Sequence, residues 1–380
     1  MKKKLLLFTD WYEPGYKAGG PIQSCRNFAA AMKEELEIYI VTSDRDQGDV
    51  CPYPGIDTNA WTATKGGQPI FYAGPGTLTL RRLRRMVGEL APDYIYLNSM
   101  YSLRFTILPL WLKIISRVSA GVVLAPRGML HEGAIRFKPL KKKLFLTFLR
   151  AIGVGGRVVF QATDEQERRD ILKYFPAAEK IVVIPNFPRM EPVDPLPVIK
   201  LQGQLSCVFI SRMAPKKNLL FFLEVLKGLS PEVHLQMRLY GDIEDASYWK
   251  NCQDAIAALS PNVSVSWEGP LPNSEVIATL QRHHVFVLPT LGENYGHAIF
   301  ESLMAGRPVL ISDKTPWRGL KEMRVGYDLP LEASSFLQVV ERLAGLDQQE
   351  YDEWSFSAYQ YAKGVGQTGP LKSKYLELFQ

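Results

Sequence analysis

Two carboxylates eight positions apart pose the first chemical question. The stretch LPTLGENYGHAIFESLMAGRPVLIS (288–312) carries Glu293 and Glu301, with Asn294, Tyr295, Gly296 and His297 following the first. The apolar run before it reads as a strand and Thr290–Tyr295 as the loop leaving its carboxyl end. Gly296 allows a tight turn, or a close approach of backbone to a ligand, at a helix start. The helix is expected from about His297 through Ala305, with Ile299 and Leu303 on its apolar face and Gly306-Arg307-Pro308 ending it. A helix N-terminus at a strand's carboxyl end favours an anion, because its free N–H groups and its dipole point at the ligand. Glu301 sits about one and a half turns in, roughly 7–8 Å along the axis. An acid beside a phosphate site is unfavourable unless it accepts hydrogen bonds from hydroxyls. A nucleoside diphosphate sugar has hydroxyls on both sides of its diphosphate, so Glu293 can take the sugar and Glu301 the ribose. The competing reading is a capped helix with two incidental surface acids.

Two further stretches bear on that choice. VFISRMAPKKNLLFFLEVL begins as a strand and continues as a helix, and its turn carries Arg212, Lys216 and Lys217. Cations at a strand's carboxyl end can neutralise a leaving diphosphate, although they also suit an ordinary strand–helix loop. DWYEPGYKAGGPIQSCRNFAAAM places Gly19 and Gly20 before a helix starting near Pro21, with Lys17 close by. Small residues let backbone amides reach a phosphate. The pair is not GxGxxG, so no dinucleotide fingerprint is present and a NAD-dependent oxidoreductase is disfavoured. Asp44-Arg45-Asp46 has the spacing of a metal-held diphosphate site. It follows only the second strand, away from the phosphate features, and is read as a solvated or acceptor-side loop. No metal and no cofactor are expected.

These residues need strands to hold them. Short apolar runs rich in β-branched and aromatic residues recur at 4–9, 37–43, 69–73, 94–98, 121–126, 157–162 and 180–185, then at 206–211, 234–241, 263–269, 284–289 and 308–312. Amphipathic segments separate them. Continuous apolar strands alternating with helices indicate parallel sheets buried on both faces, and their number suggests two. PNFPRMEPVDPLPVIK (185–200) has five prolines in sixteen positions and reads as a stiff linker. The expected fold is α/β, with Rossmann-like domains at 1–188 and 189–369, and a terminal helix over 370–380 that packs back on the first.

The whole pattern resembles the retaining GT-B glycosyltransferases, in particular glycosyltransferase family 4. The family's Glu-x7-Glu appears as ENYGHAIFE, its Arg-x4-Lys as RMAPKK and its amino-domain glycine pair as AGG. ATDEQERRDI followed by IVVIPN resembles the segment before its linker. The resemblance implies two domains facing across a cleft and a metal-independent transfer of sugar from a nucleotide donor with anomeric retention. It implies that Glu293 meets the donor sugar, that Asn294, Tyr295, Gly296 and His297 with Arg212 and Lys217 hold the diphosphate, and that Glu301 binds the ribose. Gly19 and Gly20 would let the amino domain close on the phosphates. Departures are Tyr295 for the commoner Phe, PNF for Pro-Asn-Gly, and Arg127 in APRGMLHEG, where relatives carry a histidine. Arg127 is assigned to an acceptor or donor phosphate, with His131 and Lys17 as secondary candidates.

The net charge of +6 is uneven: residues 1–190 hold 28 Lys+Arg against 17 Asp+Glu, and the remainder 17 against 22. The basic excess lies in RRLRRM (81–86) and KPLKKKLFLTFLR (138–150), the second mixing cations and apolar residues as an interfacial helix does. Anionic membrane contact competes there with a core-facing helix that has a solvated cationic side. No groove-reading or base-stacking motif accompanies the charge, which argues against nucleic acid. Neither a signal peptide nor a membrane span is read: the best apolar stretch is broken by Lys113 and Arg117. Four cysteines without CxxC spacing suit reduced thiols. The expected place is the cytoplasm, with peripheral contact at the inner face of the plasma membrane. Expected partners are a nucleotide-sugar donor, UDP-linked before GDP-linked, and a glycan or lipid-linked acceptor of surface polysaccharide or lipopolysaccharide synthesis. A GT-B isomerase or phosphorylase and an inactive sugar-nucleotide-binding module are the alternatives; no lysine is identifiable for a pyridoxal cofactor.

Overall fold

A computed structural model describes residues 2–64, 66–115, 118–135 and 139–380. Arg117 and Lys138, used above, lie outside the described residues. The chain divides into two compact units, Met1–Met190 with Thr368–Gln380, and Glu191–Gln367.

The first unit has eight strands among the described residues: β1 (Lys3–Phe8), β2 (Leu36–Ser43), β3 (Trp61–Ala63), β4 (Pro69–Ala73), β5 (Tyr94–Leu97), β6 (Gly121–Leu124), β7 (Val159–Ala162) and β8 (Lys180–Val183). Their spatial order is β3-β4-β2-β1-β5-β6-β7-β8. All neighbours pair parallel except β3 with β4. Alternation along β1 explains why its run is continuously apolar. Leu6 and Phe8 join one buried cluster, with Leu83 and Met86 of helix Leu80–Leu90. Leu5 and Leu7 join the other, with Phe28 of helix Gly20–Met32. Tyr375 and Phe379, from helix Gly369–Leu378 and its cap, belong to that second cluster. The Tyr375 ring stacks on Phe187 at 4.8 Å, and Phe379 meets Tyr94 and Tyr96 edge-on at 5.5 and 5.6 Å.

The second unit has six strands among the described residues, β9 (Gln204–Ile210), β10 (His234–Tyr240), β11 (Val263–Gly269), β12 (Val285–Leu288), β13 (Val309–Ser312) and β14 (Gly326–Leu329). They run parallel in the order β11-β10-β9-β12-β13-β14. Both sheets are therefore doubly wound, and the α/β expectation holds. Two strands escaped the sequence reading. β3 is a three-residue antiparallel edge, and β14 is a short GYDL run that opens on glycine and contains an acid.

Strand order reverses between β1 and β5 in the first unit and between β9 and β12 in the second. At such a point the loops on adjacent strands turn to opposite faces and leave a crevice at the carboxyl edge, where ligands of open α/β sheets bind.

Candidate functional site

In the second unit the two strands flanking the reversal carry the residues singled out from sequence. β9 leads into Arg212 and a short 3-10 turn, Pro215–Lys217, before helix Leu219–Leu226. β12 leads through Thr290–Tyr295 into helix His297–Met304, one residue shorter than expected. A backbone contact joins the two loops: the Leu291 amide donates to the Lys216 carbonyl at 2.8 Å. This joint brings together residues 76 positions apart. Lys217 Nζ donates to Glu293 Oε1 at 2.6 Å, and Thr290 Oγ1 to the same oxygen at 3.1 Å. Both side chains are largely buried. Burial pushes the Glu293 carboxyl up, but Lys217, Lys216 and the two hydrogen bonds outweigh it, so it lies below the ordinary carboxylate range.

Gly296 caps the helix at φ 78° and ψ 61°, a left-handed conformation. The left-handed backbone favours glycine, and a Cβ here would lie 2.7 Å from Ile299 Cδ1, which would have to move. Trp317 Nε1 donates to the Tyr295 carbonyl at 2.6 Å, and the Tyr295 ring lies 4.7 Å from the His297 ring. These contacts fix Asn294–His297 so that the amides opening the helix stand at the carboxyl edge beside Lys217. Glu301 is on the second turn of that helix and is 5% exposed, more enclosed than a surface acid. Arg212 is engaged elsewhere: its guanidinium pairs with the Glu244 carboxylate in the loop after β10. Sequence reasoning missed Glu244 as its counter-ion, although YGDIED at a strand end was a visible cue.

The remaining expected residues belong to the first unit. Gly19 caps helix Gly20–Met32 with φ 64°, and space around it is open. The loop before it is held by Asp46, whose Oδ2 accepts from the Tyr16 and Lys17 amides at 2.7 and 3.0 Å. Lys17 Nζ reaches Asp49 at 2.5 Å. The reading of Asp44 and Asp46 as solvated is corrected: both are buried, Asp44 against Arg45 and Asp46 under the glycine loop. Arg127 is half-buried with a positive φ of 55°. Its guanidinium donates to Tyr96 Oη at 2.6 Å, to Asn98 Oδ1 at 2.7 Å and to Asn186 Oδ1. Most of its N–H groups are thus committed to the protein. His131 Nδ1 bonds the Asp170 carboxylate. Burial lowers the imidazole, but Asp170, Glu167 and Asp164 outweigh it and hold it above its ordinary value. A further buried acid, Glu167, accepts from the Gly128 amide at 2.5 Å and the Thr163 amide at 2.8 Å.

Among the described residues no group of three or more His, Cys, Asp and Glu is placed to hold a metal ion. All four cysteines are free, with Cys51 alone exposed.

Comparisons with known proteins bear on the family and the fold. The pattern described as Glycosyl transferases group 1 matches residues 204–344, and that described as Glycosyl transferase 4-like domain matches residues 19–186. No curated protein matches the sequence. Among solved structures, Alr3699/HepE from Anabaena in complex with UDP and glucose is 13% identical, with a TM-score of 0.70 over 99% of this chain and 98% of that one. Sucrose-phosphate synthase from Thermosynechococcus elongatus is 13% identical, with a TM-score of 0.71 over 100% and 98%. WaaG, a glycosyltransferase involved in lipopolysaccharide biosynthesis, is 14% identical, with a TM-score of 0.64 over 98% and 99%. With one pattern on each of its two sheets, the chain belongs to the group 1 glycosyltransferases and is a glycosyltransferase of GT-B fold.

Proposed function

We propose that the enzyme transfers a sugar from a UDP-sugar to a glycan or lipid-linked acceptor of a cell-surface polysaccharide or lipopolysaccharide, with retention and without a metal. One observation carries the reading: the Lys217–Glu293 pair stands beside the Gly296-capped helix at the strand-order reversal of the second unit. The main barrier to glycosyl transfer is charge separation at the departing diphosphate. Fixed cations and helix amides stabilise that charge without reorganising. Lys217, Lys216 and Arg212, with the amides opening helix His297–Met304, are the groups for it. The acceptor oxygen bonds to the anomeric carbon as the bond to the diphosphate breaks. The electron pair leaves with the diphosphate, and an oxygen of that group takes the acceptor's proton. Glu293, ion-paired and held in its charged form, suits hydrogen bonds from sugar hydroxyls better than proton abstraction. Glu301 is the ribose candidate. HepE, of the same fold, is described with UDP and with UDP-glucose, which supports the choice of base.

The two basic segments of the first unit differ in kind. Helix Leu80–Leu90 buries Leu83, Met86 and Val87 and turns its arginines outward, as a core-facing helix does. Helix Pro139–Ala151 buries Leu146 and Leu149, yet Leu140, Leu144 and Phe148 are 83%, 74% and 47% exposed. Spaced by four, they share one face, flanked by the exposed Lys141, Lys143 and Arg150. That combination suits shallow insertion among anionic headgroups. No helix among the described residues is long and apolar enough to cross a membrane.

A thermal-shift panel of UDP-, GDP- and ADP-sugars tests the donor: a ligand at 100 times its Kd stabilises by about 2.7 kcal/mol. UDP-sugars should shift the transition, and no shift with any member rejects the reading. NMR of the product made in EDTA reads both retention and metal independence. Flotation on vesicles with and without phosphatidylglycerol reads membrane contact, and Leu144→Ser with Phe148→Ser should abolish it.

A further inference from the structure

The end of β13 and the loop after it touch the loop that follows β12 at three points. Ser312 Oγ donates to the Thr290 carbonyl. The Glu293 amide donates to the Lys314 carbonyl at 3.0 Å. Trp317 Nε1 donates to the Tyr295 carbonyl at 2.6 Å. These contacts run from the start of the donor loop to the residue before Gly296. Trp317 is itself firmly set. It is 6% exposed, and its ring packs against Tyr295, Phe300 and Tyr361 with centroids 5.9, 6.2 and 6.3 Å away. Its own amide donates to Thr315 Oγ1 at 3.2 Å. Just beyond it, the Gly319 and Leu320 amides donate to the Asp328 carboxylate on β14 at 3.2 and 2.9 Å, which ties down the far side of the loop.

A buried indole needs an acceptor for its N–H, and any carbonyl would serve. The one it takes decides where the amide of the capping glycine points. The Tyr295–Gly296 peptide is trans and planar, so its C=O and N–H lie on opposite sides. With the oxygen held against the buried indole, the Gly296 N–H is turned away from it. Gly296 is partly exposed, and its amide meets no protein acceptor among the described residues. Glycine also makes the opposite orientation accessible: rotating this peptide plane changes φ of Gly296, and glycine takes either sign. A flipped peptide would offer an anion at the helix start a carbonyl oxygen in place of an N–H. We infer that Trp317 is a positioning residue for the transfer reaction. Its indole N–H holds the Tyr295–Gly296 peptide with the amide toward the diphosphate, and so sets how well the charge of the leaving group is stabilised. It acts through that peptide and not on the substrate. This inference rests on the glycosyl-transfer reading above.

The test uses the full chain with uridine, UDP and the UDP-sugar that gives the largest thermal shift. Trp317→Phe keeps an aromatic ring and removes the N–H. Replacing Trp317 by benzothienylalanine keeps the bicyclic shape with sulfur where the N–H was, so a packing defect in the first protein leaves the second. In both, the UDP Kd should rise about fivefold or more, and kcat for acceptor-free release of UDP from the UDP-sugar should fall about tenfold or more. Uridine, which carries no phosphate, should bind within about twofold of the unaltered protein. Unchanged UDP affinity or unchanged kcat in the benzothienylalanine protein would overturn the assignment. Equal weakening of uridine and UDP would also overturn it, because that is what a merely structural tryptophan gives. Absence of UDP binding to the unaltered chain overturns the donor reading, and this inference with it.

Discussion

The two reversal points share a topology and differ in chemistry. In the second unit the crevice residues are charged and matched: Lys217 with Glu293, and Arg212 with Glu244. In the first unit Asp10 has serine hydroxyls for company and Asn98 an unused N–H. Parallel strands fix where a ligand can sit, because only the carboxyl edge opens at a reversal. The loops decide what sits there. Matched charges suit a diphosphate, whereas the acid leaving β1 is met by the Ser102 hydroxyl and lies near Arg104.

Four experiments would break or sharpen that contrast, and the largest effect is expected first. Lys217→Ala removes a cation from the developing diphosphate charge and leaves Glu293 buried without its counter-ion. Turnover should fall by about 100- to 1000-fold, as for loss of one preorganised donor. Steady-state kinetics check this, and near-normal kcat would remove the second unit's charged crevice from catalysis. Gly296→Ala places a side chain in a left-handed position against Ile299. A loss of about 1–3 kcal/mol with weakened UDP binding is expected, read by denaturant melts and calorimetry.

The third experiment uses pH. Burial, with His284, Arg238, Arg282 and Arg307 around it, lowers the His283 imidazole to about 4. The unfolded chain, titrating near 6.5, then binds the proton first. Stability is therefore full above about pH 6.5 and declines as pH falls toward about 4, by roughly 2 kcal/mol between about pH 8 and about pH 5. Melting curves across that range should show the decline, and His283→Gln should flatten it. Asp10, raised and not lowered, works the other way: the folded chain takes up its proton first, so its contribution improves as pH falls. The smallest effect belongs to Glu244→Gln: its pair with Arg212 is partly exposed, so stability should change by under about 1 kcal/mol. UDP should bind more tightly, because Arg212 no longer has to leave a charged partner; an unchanged Kd would show that the pair does not compete with the ligand.

The fold was legible because buried parallel strands have little freedom in composition. Runs such as LLLF in β1 and VFVL in β12 need apolar residues on both faces, so they stand out without alternation. The short β3 and β14 lack that constraint. At the candidate site, Gly296 and the helix start after a strand were readable because a left-handed cap needs glycine locally. Partnerships across loops were not readable. Nothing in Asp46 announces that it accepts the Tyr16 and Lys17 amides, and Arg127 gives no sign that its guanidinium turns to Tyr96, Asn98 and Asn186. Those depend on loop paths that residue type alone does not determine.

The helix Gly369–Leu378 places the last aromatic pieces of the first unit's interior about 180 positions after Met190, the end of that unit's main segment. During synthesis, residues 191–367 can fold while the opening unit still lacks Tyr375 and Phe379, so Phe28, Tyr96 and Phe187 wait with an unfilled wall. The unit made first is the one finished last. A ribosome stalling just short of Tyr375 would release a complete second unit joined to an unsealed first one, which quality control would recognise by its bare aromatic rings.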